Sequence, residues 1–519
     1  MGKANGNAAD YFIERHLREG RGERLAFADP SRSISYAELA DAARRFAAGL
    51  TAVGIERERR IALLLLDTID FPIAFWGALR AGIVPVPINT LLPPEITEYI
   101  LRDSRAAGLV VSAPLLEPLR PLLSHLPDLR QVIVSQPNGE PANERDATGF
   151  AAFLDIPTAN FALADCSPDE VAFWLYSSGS TGAPKGVRHL HANLRATSDT
   201  YGQQVLQIAP DDLLFSVAKL FFAYGLGNSM TFPMAVGAAS VLIPDRPTPD
   251  LVLETMRRFQ PTMFAGVPTL YAAMLAHPEL GRGAGSDRLR RCISAGEPLP
   301  EHVGRRWRDT VGVDILDGLG STEMLHIFLS NHPDDIRYGT TGKPVPGYEM
   351  RIVSEDGADA ADGGSGELIV KGPSSAEGYW NQRDKSRRTF RGEWTYTGDT
   401  YTRDPDGYYR YCGRSDDMLK VSGIWVSPFE VEEALIGHAA VLEAAVVGHP
   451  DAEGLIKPKA FVVLQQSAQK EDAAGLCDAL QNHVKEKIGV WKYPRWIEFC
   501  DTLPKTATGK IQRYKLRQL

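Results

Sequence analysis

Apolar positions along the chain keep two rhythms. Short unbroken apolar runs at Arg60 to Leu66, Ile83 to Pro87, Gly108 to Val111, Gln131 to Val134 and Val171 to Leu175 read as strands. Between them, apolar residues recur at helical spacing over Ser35 to Val53, Asp70 to Ala81 and Pro94 to Ser104. Ser35 is placed to cap the first of these helices, and Glu38, three residues on, completes a capping box. Gly82 ends the second, and Pro94 suits the start of the third. Ala8 to Glu19 reads as a further helix or a loosely attached arm, and Gln136 to Thr148 as a surface loop. Helices alternating with apolar strands predict parallel sheets joined by crossover helices.

The same alternation continues through strands at Asp212 to Ser216, Thr262 to Pro268, Leu289 to Ser294 and Asp314 to Leu319. Three of these strands run into small or polar residues: Gly266-Val267-Pro268, Ala295-Gly296-Glu297 and Gly320-Ser321-Thr322-Glu323. Ligands of open α/β sheets sit at the carboxyl ends of strands, so these ends are candidate walls of one pocket. From Gly342 the elements shorten into a β-rich texture, with strands at Tyr348 to Ile352, Gly366 to Val370, Tyr396 to Asp399 and Gly407 to Tyr409. Beyond residue 415 a helix at Pro428 to Ile436, strands at Val441 to Val447, Pro458 to Val463 and Trp496 to Phe499, and an amphipathic helix at Ala473 to Lys487 make a separate α+β set. The expected fold is therefore α/β. A large N-terminal domain, 1–415, combines parallel-sheet α/β subdomains with a small β-rich subdomain, and a small α+β domain, 416–519, follows.

Composition narrows the class. At 519 residues the chain is too long for a single core. Its 44% hydrophobic and 23% charged content is that of a soluble globular protein. A net charge of −9 offers no basic face to nucleic acid or to an anionic membrane. The five cysteines are scattered and never form a Cys-x-x-Cys pair, which fits a reducing cytosol rather than a disulfide or zinc framework. Met1 to Gly6 carries no secretory signal, and Gly6 breaks a myristoylation motif. The run Ile61 to Leu66 is far short of the ~20 apolar residues that span a bilayer.

The densest chemistry lies in Ser177-Ser178-Gly179-Ser180-Thr181-Gly182-Ala183-Pro184-Lys185-Gly186. Glycine lets a backbone approach a ligand closely, successive N–H and hydroxyl groups suit phosphate oxygens, and a lysine adds a mobile charge. It is not a Walker loop, because Pro184 precedes Lys185 and Gly186 follows it. Three further features carry chemistry. Thr322-Glu323 pairs a hydroxyl with one carboxylate, as Mg²⁺ bound to a nucleotide phosphate requires. Asp399, after Thr397-Gly398, can accept both hydroxyls of a ribose. Lys510 lies in Pro504-Lys505-Thr506-Ala507-Thr508-Gly509-Lys510, near the end of the chain. Taken singly, Glu323 is also consistent with a helix cap, Asp399 with a turn and Lys510 with a solvated tail lysine.

In combination the motifs Ser177 to Gly186, Ser294 to Pro298, Gly320 to Glu323, Tyr396 to Asp399, Gly413 to Lys420 and Pro504 to Lys510 resemble, in order and over nearly the whole chain, the AMP-forming acyl- and aryl-CoA ligases of the adenylate-forming superfamily. Ala218 to Asn228 and Gly320 to Phe328 resemble the benzoate–CoA and 4-hydroxybenzoate–CoA ligases within it. The resemblance implies ATP, Mg²⁺ and coenzyme A as cofactors and a small aromatic acid as substrate, in the cytoplasm; monomer and homodimer stay open. It implies that Ser177, Ser178, Gly179, Thr181 and Lys185 hold the triphosphate and Glu323 the metal. Glu297, Pro298, Asp317 and Gly318 would surround the adenine, Thr322 would meet the α-phosphate, and Asp399 and Arg414 the ribose. Phe222, Ala223, Tyr224, Gly318, Gly320, Leu325, His326 and Ile327 would line the acid pocket, with Gly318 and Gly320 leaving room for a flat ring. His326 either meets a para substituent or closes the pocket with a nitrogen tied to backbone. Asp416 would be the hinge of a mobile C-terminal domain, Lys510 would bridge acid and phosphates, and Lys420, Gly423 and Trp425 would meet coenzyme A. Two other classes share part of this pattern. An amino-acid-activating module would place an aspartate near Phe221 to Gly225, and none is there; a non-catalytic nucleotide binder would have no use for both Glu323 and Lys510.

If Lys510 supplies charge to the first half-reaction alone, Lys510→Ala lowers adenylate formation by about 10²- to 10³-fold or more while thioester formation from supplied acyl-AMP survives. Equal loss in the two half-reactions, assayed separately, would contradict this division.

Overall fold

The computed structural model describes residues 5–136, 147–155, 161–177, 183–283, 285–354, 357–415, 417–421, 424–453, 455–465, 468, 473–489, 492–505 and 511–519. They form two compact units. One holds Met1–Glu349 with Lys371–Thr395, and the other Met350–Val370 with Tyr396–Leu519.

The first unit carries a wholly parallel sheet of the described strands Val84–Pro87, Arg60–Leu64, Ala106–Ser112, Gln131–Ser135 and Thr148–Gly149, in that spatial order. Helices pack on it as the apolar spacing requires. In Tyr36–Ala52 the expected capping box is present: the Glu38 N–H donates to Ser35 Oγ, and the Ser35 N–H donates to the Glu38 carboxylate. Asp70–Arg80 is buried along its whole length, so its one carboxylate needs partners. Asp70 accepts from Ser135 Oγ at 2.7 Å and pairs with Arg32. The two helices approach closely at Gly77, where a Cβ would stand 2.9 Å from the Ala43 carbonyl oxygen.

A second, larger sheet runs Lys343–Pro344, Ile327–Ser330, Ile315–Gly320, Arg291–Ser294, Met263–Gly266, Leu213–Ser216, Ala239–Val241, Leu25–Ala28 and Ser33–Ser35. Its centre is parallel and its ends are antiparallel. The three strands with small or polar exits, ending at Gly266, Ser294 and Gly320, are neighbours, so the expected pocket walls stand side by side.

Of the two readings of Ala8 to Glu19, the helical one holds, over Asp10–Glu14 and Arg15–Arg18, and the segment is packed rather than loose: Ala8, Ala9, Phe12 and Ile13 are buried, and the Ala8 N–H donates to His191 Nδ1 at 3.1 Å. The stretch after the glycine-rich loop is a strand before it is a helix. Lys185–Leu190 is a strand antiparallel to Val171–Ser177, with Gly378–Tyr379 on its other edge, and the helix begins only at His191. Alternating burial of Val187 and His189 fits that strand better than a helical face.

In the second unit, the strands Glu349–Val353, Ser365–Lys371, Trp394–Arg403 and Tyr409–Arg414 make the expected β-rich part. A further sheet pairs Val441–Pro450 with Ile456–Leu464 and adds Trp496–Phe499 in parallel. The helices Pro428–Ile436 and Ala473–Ile488 share its apolar core through Val431, Leu435, Leu480 and Val484. The border expected at 415/416 falls inside this unit, and Asp416 lies outside the described residues. Among the described residues no helix is long and apolar enough to cross a membrane, and the five cysteines are free.

Gly77→Ala should destabilise the protein by about 1–3 kcal/mol although alanine is the better helix former, because the two helices have to separate. A melting temperature at or above that of the wild type would show that the contact yields without cost.

Candidate active site

The strand Val171–Ser177 is held by its buried residues Ala172, Phe173, Trp174 and Leu175. It delivers Ser177 opposite Lys185 on the partner strand. The loop between them is thus spanned by a β-hairpin; Ser178, Gly179 and Thr181 lie outside the described residues. Ser177 Oγ is buried and has no hydrogen-bond partner among the described residues. A buried hydroxyl left unpaired is costly unless a ligand completes it.

Lys185 Nζ stands 3.1 Å from Glu323 Oε1 and donates to the Tyr379 hydroxyl at 2.7 Å. Tyr379 in turn donates to the same Glu323 oxygen at 2.8 Å, and the ammonium lies 4.0 Å from the Tyr379 ring centroid. Three distant stretches of chain therefore converge on one carboxylate. Burial raises the Glu323 carboxyl, but Lys185 and the Tyr379 hydroxyl outweigh it and hold the group below its ordinary range, ionised at neutral pH.

The backbone around Glu323 is fixed as firmly. The Ala376 N–H donates to the Glu323 carbonyl at 2.8 Å, and Ser374 Oγ donates to the Met324 carbonyl at 2.7 Å. His189 Nε2 meets the Thr322 carbonyl at 2.8 Å, and its ring stacks on Phe173. Burial pushes His189 down to about 4, so it is neutral and Nε2 is the donor. Thr322 itself is half-buried.

Next to this turn, Asp317 pairs in register with Ser294 on the neighbouring strand. Burial pushes its carboxyl well above the ordinary range, against hydrogen bonds from the backbone at Leu299 and Gly318. Oδ1 of Asp317 is buried without a partner among the described residues. Glu297 and Pro298, half-buried, precede Leu299 at the exit of the Arg291–Ser294 strand.

The two expected walls of the acid pocket do meet. His326 Nε2 contacts the Tyr224 carbonyl at 3.2 Å across 102 residues of sequence, and the ring lies edge-on to Phe232. Burial pushes His326 down to about 3. The neutral ring donates from Nε2, which leaves Nδ1 as an acceptor, buried and without a partner among the described residues. The Tyr224 hydroxyl donates to the carbonyls of Gly266 and Ile293, both at 3.1 Å, tying the helical turn Ala223–Leu226 to two strand ends. Phe222, Ala223 and Tyr224 are half-buried, while Leu325 and Ile327 are fully buried. A Cβ added at Gly318 would stand 2.9 Å from the Ile327 side chain, and one at Gly320 2.7 Å from the His326 carbonyl oxygen, so these glycines admit the chain's own close approach.

Within the second unit, Asp399 pairs in register with Arg414, and the guanidinium reaches its carboxylate at 3.0 Å. Arg414 also donates to the Thr397 carbonyl, over the bare α-carbon of Gly398. Asp416, Gly423 and Lys510 lie outside the described residues, and Lys420 and Trp425 are described in their backbone alone.

The sequence matches the AMP-binding enzyme family over residues 13–380 and the C-terminal domain of AMP-binding enzymes over residues 430–510. The chain belongs to the AMP-binding enzymes. Among curated relatives, a 4-hydroxybenzoate–CoA/benzoate–CoA ligase of Rhodopseudomonas palustris is 53% identical, over 99% of this chain and 94% of its own. A benzoate–CoA ligase of Thauera aromatica is 54% identical, over 98% and 95%. The crystal structure of a benzoate CoA ligase from Burkholderia xenovorans superposes with a TM-score of 0.90 at 48% identity, covering 98% of this chain and 99% of that one.

In this AMP-binding enzyme the residue that sequence reasoning misses is Tyr379. It sits in Ala376-Glu377-Gly378-Tyr379-Trp380, which carries no chemical spacing that singles it out. Only the pairing of Gly378–Tyr379 with the Lys185–Leu190 strand brings it to Glu323. Tyr379→Phe removes the hydroxyl contacts to Lys185 and Glu323, and a longer one to Thr389 Oγ1 at 3.3 Å, while keeping the ring. Two hydrogen bonds to charged groups are at stake, so adenylate formation should fall by about 10- to 100-fold. A rate within about twofold of wild type, in pyrophosphate release under saturating ATP, would show the hydroxyl to be dispensable.

Proposed function

We propose that this chain is an ATP-dependent benzoate–CoA ligase. Benzoate and ATP give benzoyl-AMP and pyrophosphate, and coenzyme A then gives benzoyl-CoA and AMP. The observation that carries the choice of acid is the pocket wall. Tyr224 and His326 each give their donor to a backbone carbonyl, and Leu325 and Ile327 beside them are apolar. A flat apolar ring suits that wall. The close likeness to ligases named for benzoate supports it.

The chemistry follows from charge. A carboxylate acylates poorly because its leaving group is oxide, and joining it to AMP supplies a better one. Bringing that carboxylate to a phosphate sets anion against anion, so cations must be concentrated there. Lys185, with Ser177, Ser178, Gly179 and Thr181, takes the triphosphate. Glu323 would hold Mg²⁺, which when bound adds charge at the phosphates. The residues fit that ion: Glu323 is held ionised, and Mg²⁺ shares one or two protein carboxylates with phosphate and water. Thr322 meets the α-phosphate, Glu297, Pro298 and Asp317 the adenine, and Asp399 and Arg414 the ribose.

The second step needs a thiol near the acyl carbon and has no use for Lys510. A domain of residues 416–519 that turns about Asp416 resolves this, carrying Lys510 for adenylation and Lys420, Gly423 and Trp425 for coenzyme A.

One observation favours a second reading. His326 Nδ1 is a buried acceptor with no partner among the described residues, and a phenolic hydroxyl could donate to it. Hydroxybenzoate would then be the better acid. With benzoate preferred, kcat/KM for 4-hydroxybenzoate is expected to be roughly 10- to 100-fold lower, the cost of burying an unpaired hydroxyl. A ratio at or above one, from CoA-dependent AMP formation with each acid, would overturn the benzoate assignment and favour the second reading.

A further inference from the structure

Asp67 lies just beyond the strand Arg60–Leu64, far in sequence from any residue assigned above to the acid pocket. It is 2% exposed. Both carboxylate oxygens stand 3.2 Å from the backbone nitrogen of Leu220. Its sequence neighbours Leu65 and Ile69 belong to the same apolar core as Leu220, Leu226 and Leu325 of the pocket walls. A carboxylate placed there is an expensive way to satisfy one amide. Burial pushes it up to about 6 even with the Lys219 ammonium nearby. Ionised Asp67 therefore does not stabilise the fold at neutral pH, since its proton affinity is higher in the folded chain than in the unfolded one.

Leu220 opens the turn that presents Phe222, Ala223 and Tyr224. The rest of that turn is closed with little slack. Lys219 Nζ donates to the carbonyls of Ile243 and Asp245 at 2.5 and 2.8 Å. The Phe222 N–H donates to the Lys219 carbonyl at 3.0 Å. Gly225 folds back so tightly that a Cβ would stand 2.1 Å from the Lys219 carbonyl oxygen and 2.3 Å from that of Ala218. Tyr224, at the far end, is tied to Gly266 and Ile293. Of these ties, the one at Leu220 joins the turn to the segment leaving the other sheet.

We propose that Asp67 is a positioning residue for substrate choice: by gripping the Leu220 amide it sets where the Phe222–Tyr224 wall stands against the Leu325–Ile327 wall, and so which aromatic acids fit. This deepens the proposed function and rests on its reading of the acid pocket.

The test compares wild type with Asp67→Asn and Asp67→Ala, using CoA-dependent AMP formation with benzoate and with para- and ortho-substituted benzoates, and a thermal melt. Asp67→Asn keeps the shape but sets an amide N–H against the Leu220 N–H in place of one acceptor; Asp67→Ala removes both acceptors. For Asp67→Asn, KM for benzoate should rise about tenfold, KM for ATP should stay within about twofold, and the preference for benzoate over bulkier acids should shrink. Asp67→Ala should go further in the same direction. The melting temperature of Asp67→Asn should be unchanged or higher, because a disfavoured buried charge is gone. A residue that only supports the fold would instead lower the melting temperature and move both KM values together, and that result overturns the proposal, as does an unchanged acid profile. Should Asp67→Ala not fold, Asp67→Asn decides alone. Wild type that turns over no benzoate overturns the substrate reading separately, and the comparison is then made with the aromatic acid it uses best.

Discussion

The site depends on one carboxylate kept ionised in a half-buried place. Glu323 would be driven toward its neutral form by burial if it stood alone. Lys185 and Tyr379 prevent that, and they come from the two strands that the first unit sets side by side, Lys185–Leu190 and Gly378–Tyr379. The turn bearing Glu323 is in turn fixed by His189, Ser374 and Ala376 through its backbone. The antiparallel three-stranded sheet is small, yet it is what converts three separate stretches of sequence into one electrostatic unit.

Much of this was legible before any coordinates, for identifiable reasons. Helix ends were readable where a side chain does the capping, as at Ser35 and Glu38. Strand positions were readable where burial is continuous, as from Ala106 to Ser112. The neighbouring of three strand ends followed from the alternation of helix and strand, which leaves few topologies. The strand Lys185–Leu190 was not legible, because its pattern is short and includes Arg188 and the buried His189. Tyr379 and Asp67 were not legible either. Each acts through a contact with a backbone or side chain far away in sequence, and local spacing holds no record of such a contact. Gly318 and Gly320 were legible as special, but not the close approach of Ile327 and the His326 backbone that bare α-carbons admit there.

The proposed acid pocket and the Glu323 turn treat polar groups differently. Around the pocket, Tyr224 and His326 spend their donors on carbonyls, and burial holds His326 neutral. Around the turn, charges are kept and balanced. One stretch of chain, Ile315 to Ile327, passes from one regime to the other within a few residues. The positive φ of Leu325, a conformation that side chains rarely adopt, lies at that changeover and points to a backbone constrained from both sides.

The hairpin that carries the glycine-rich loop has an electrostatic consequence of its own. Many phosphate sites place the anion at the first turn of a helix, where aligned peptide groups supply a permanent half-charge. Here the chain leaves the loop as a strand, and strand dipoles largely cancel. Among the described residues the strand leaving the loop supplies no macrodipole to it, so under the proposed function discrete ions have to neutralise the polyphosphate. Such a site is governed by ion concentrations in its surroundings: exposed cations are screened over about a nanometre at ordinary salt, and their hold on a nucleotide weakens as salt rises.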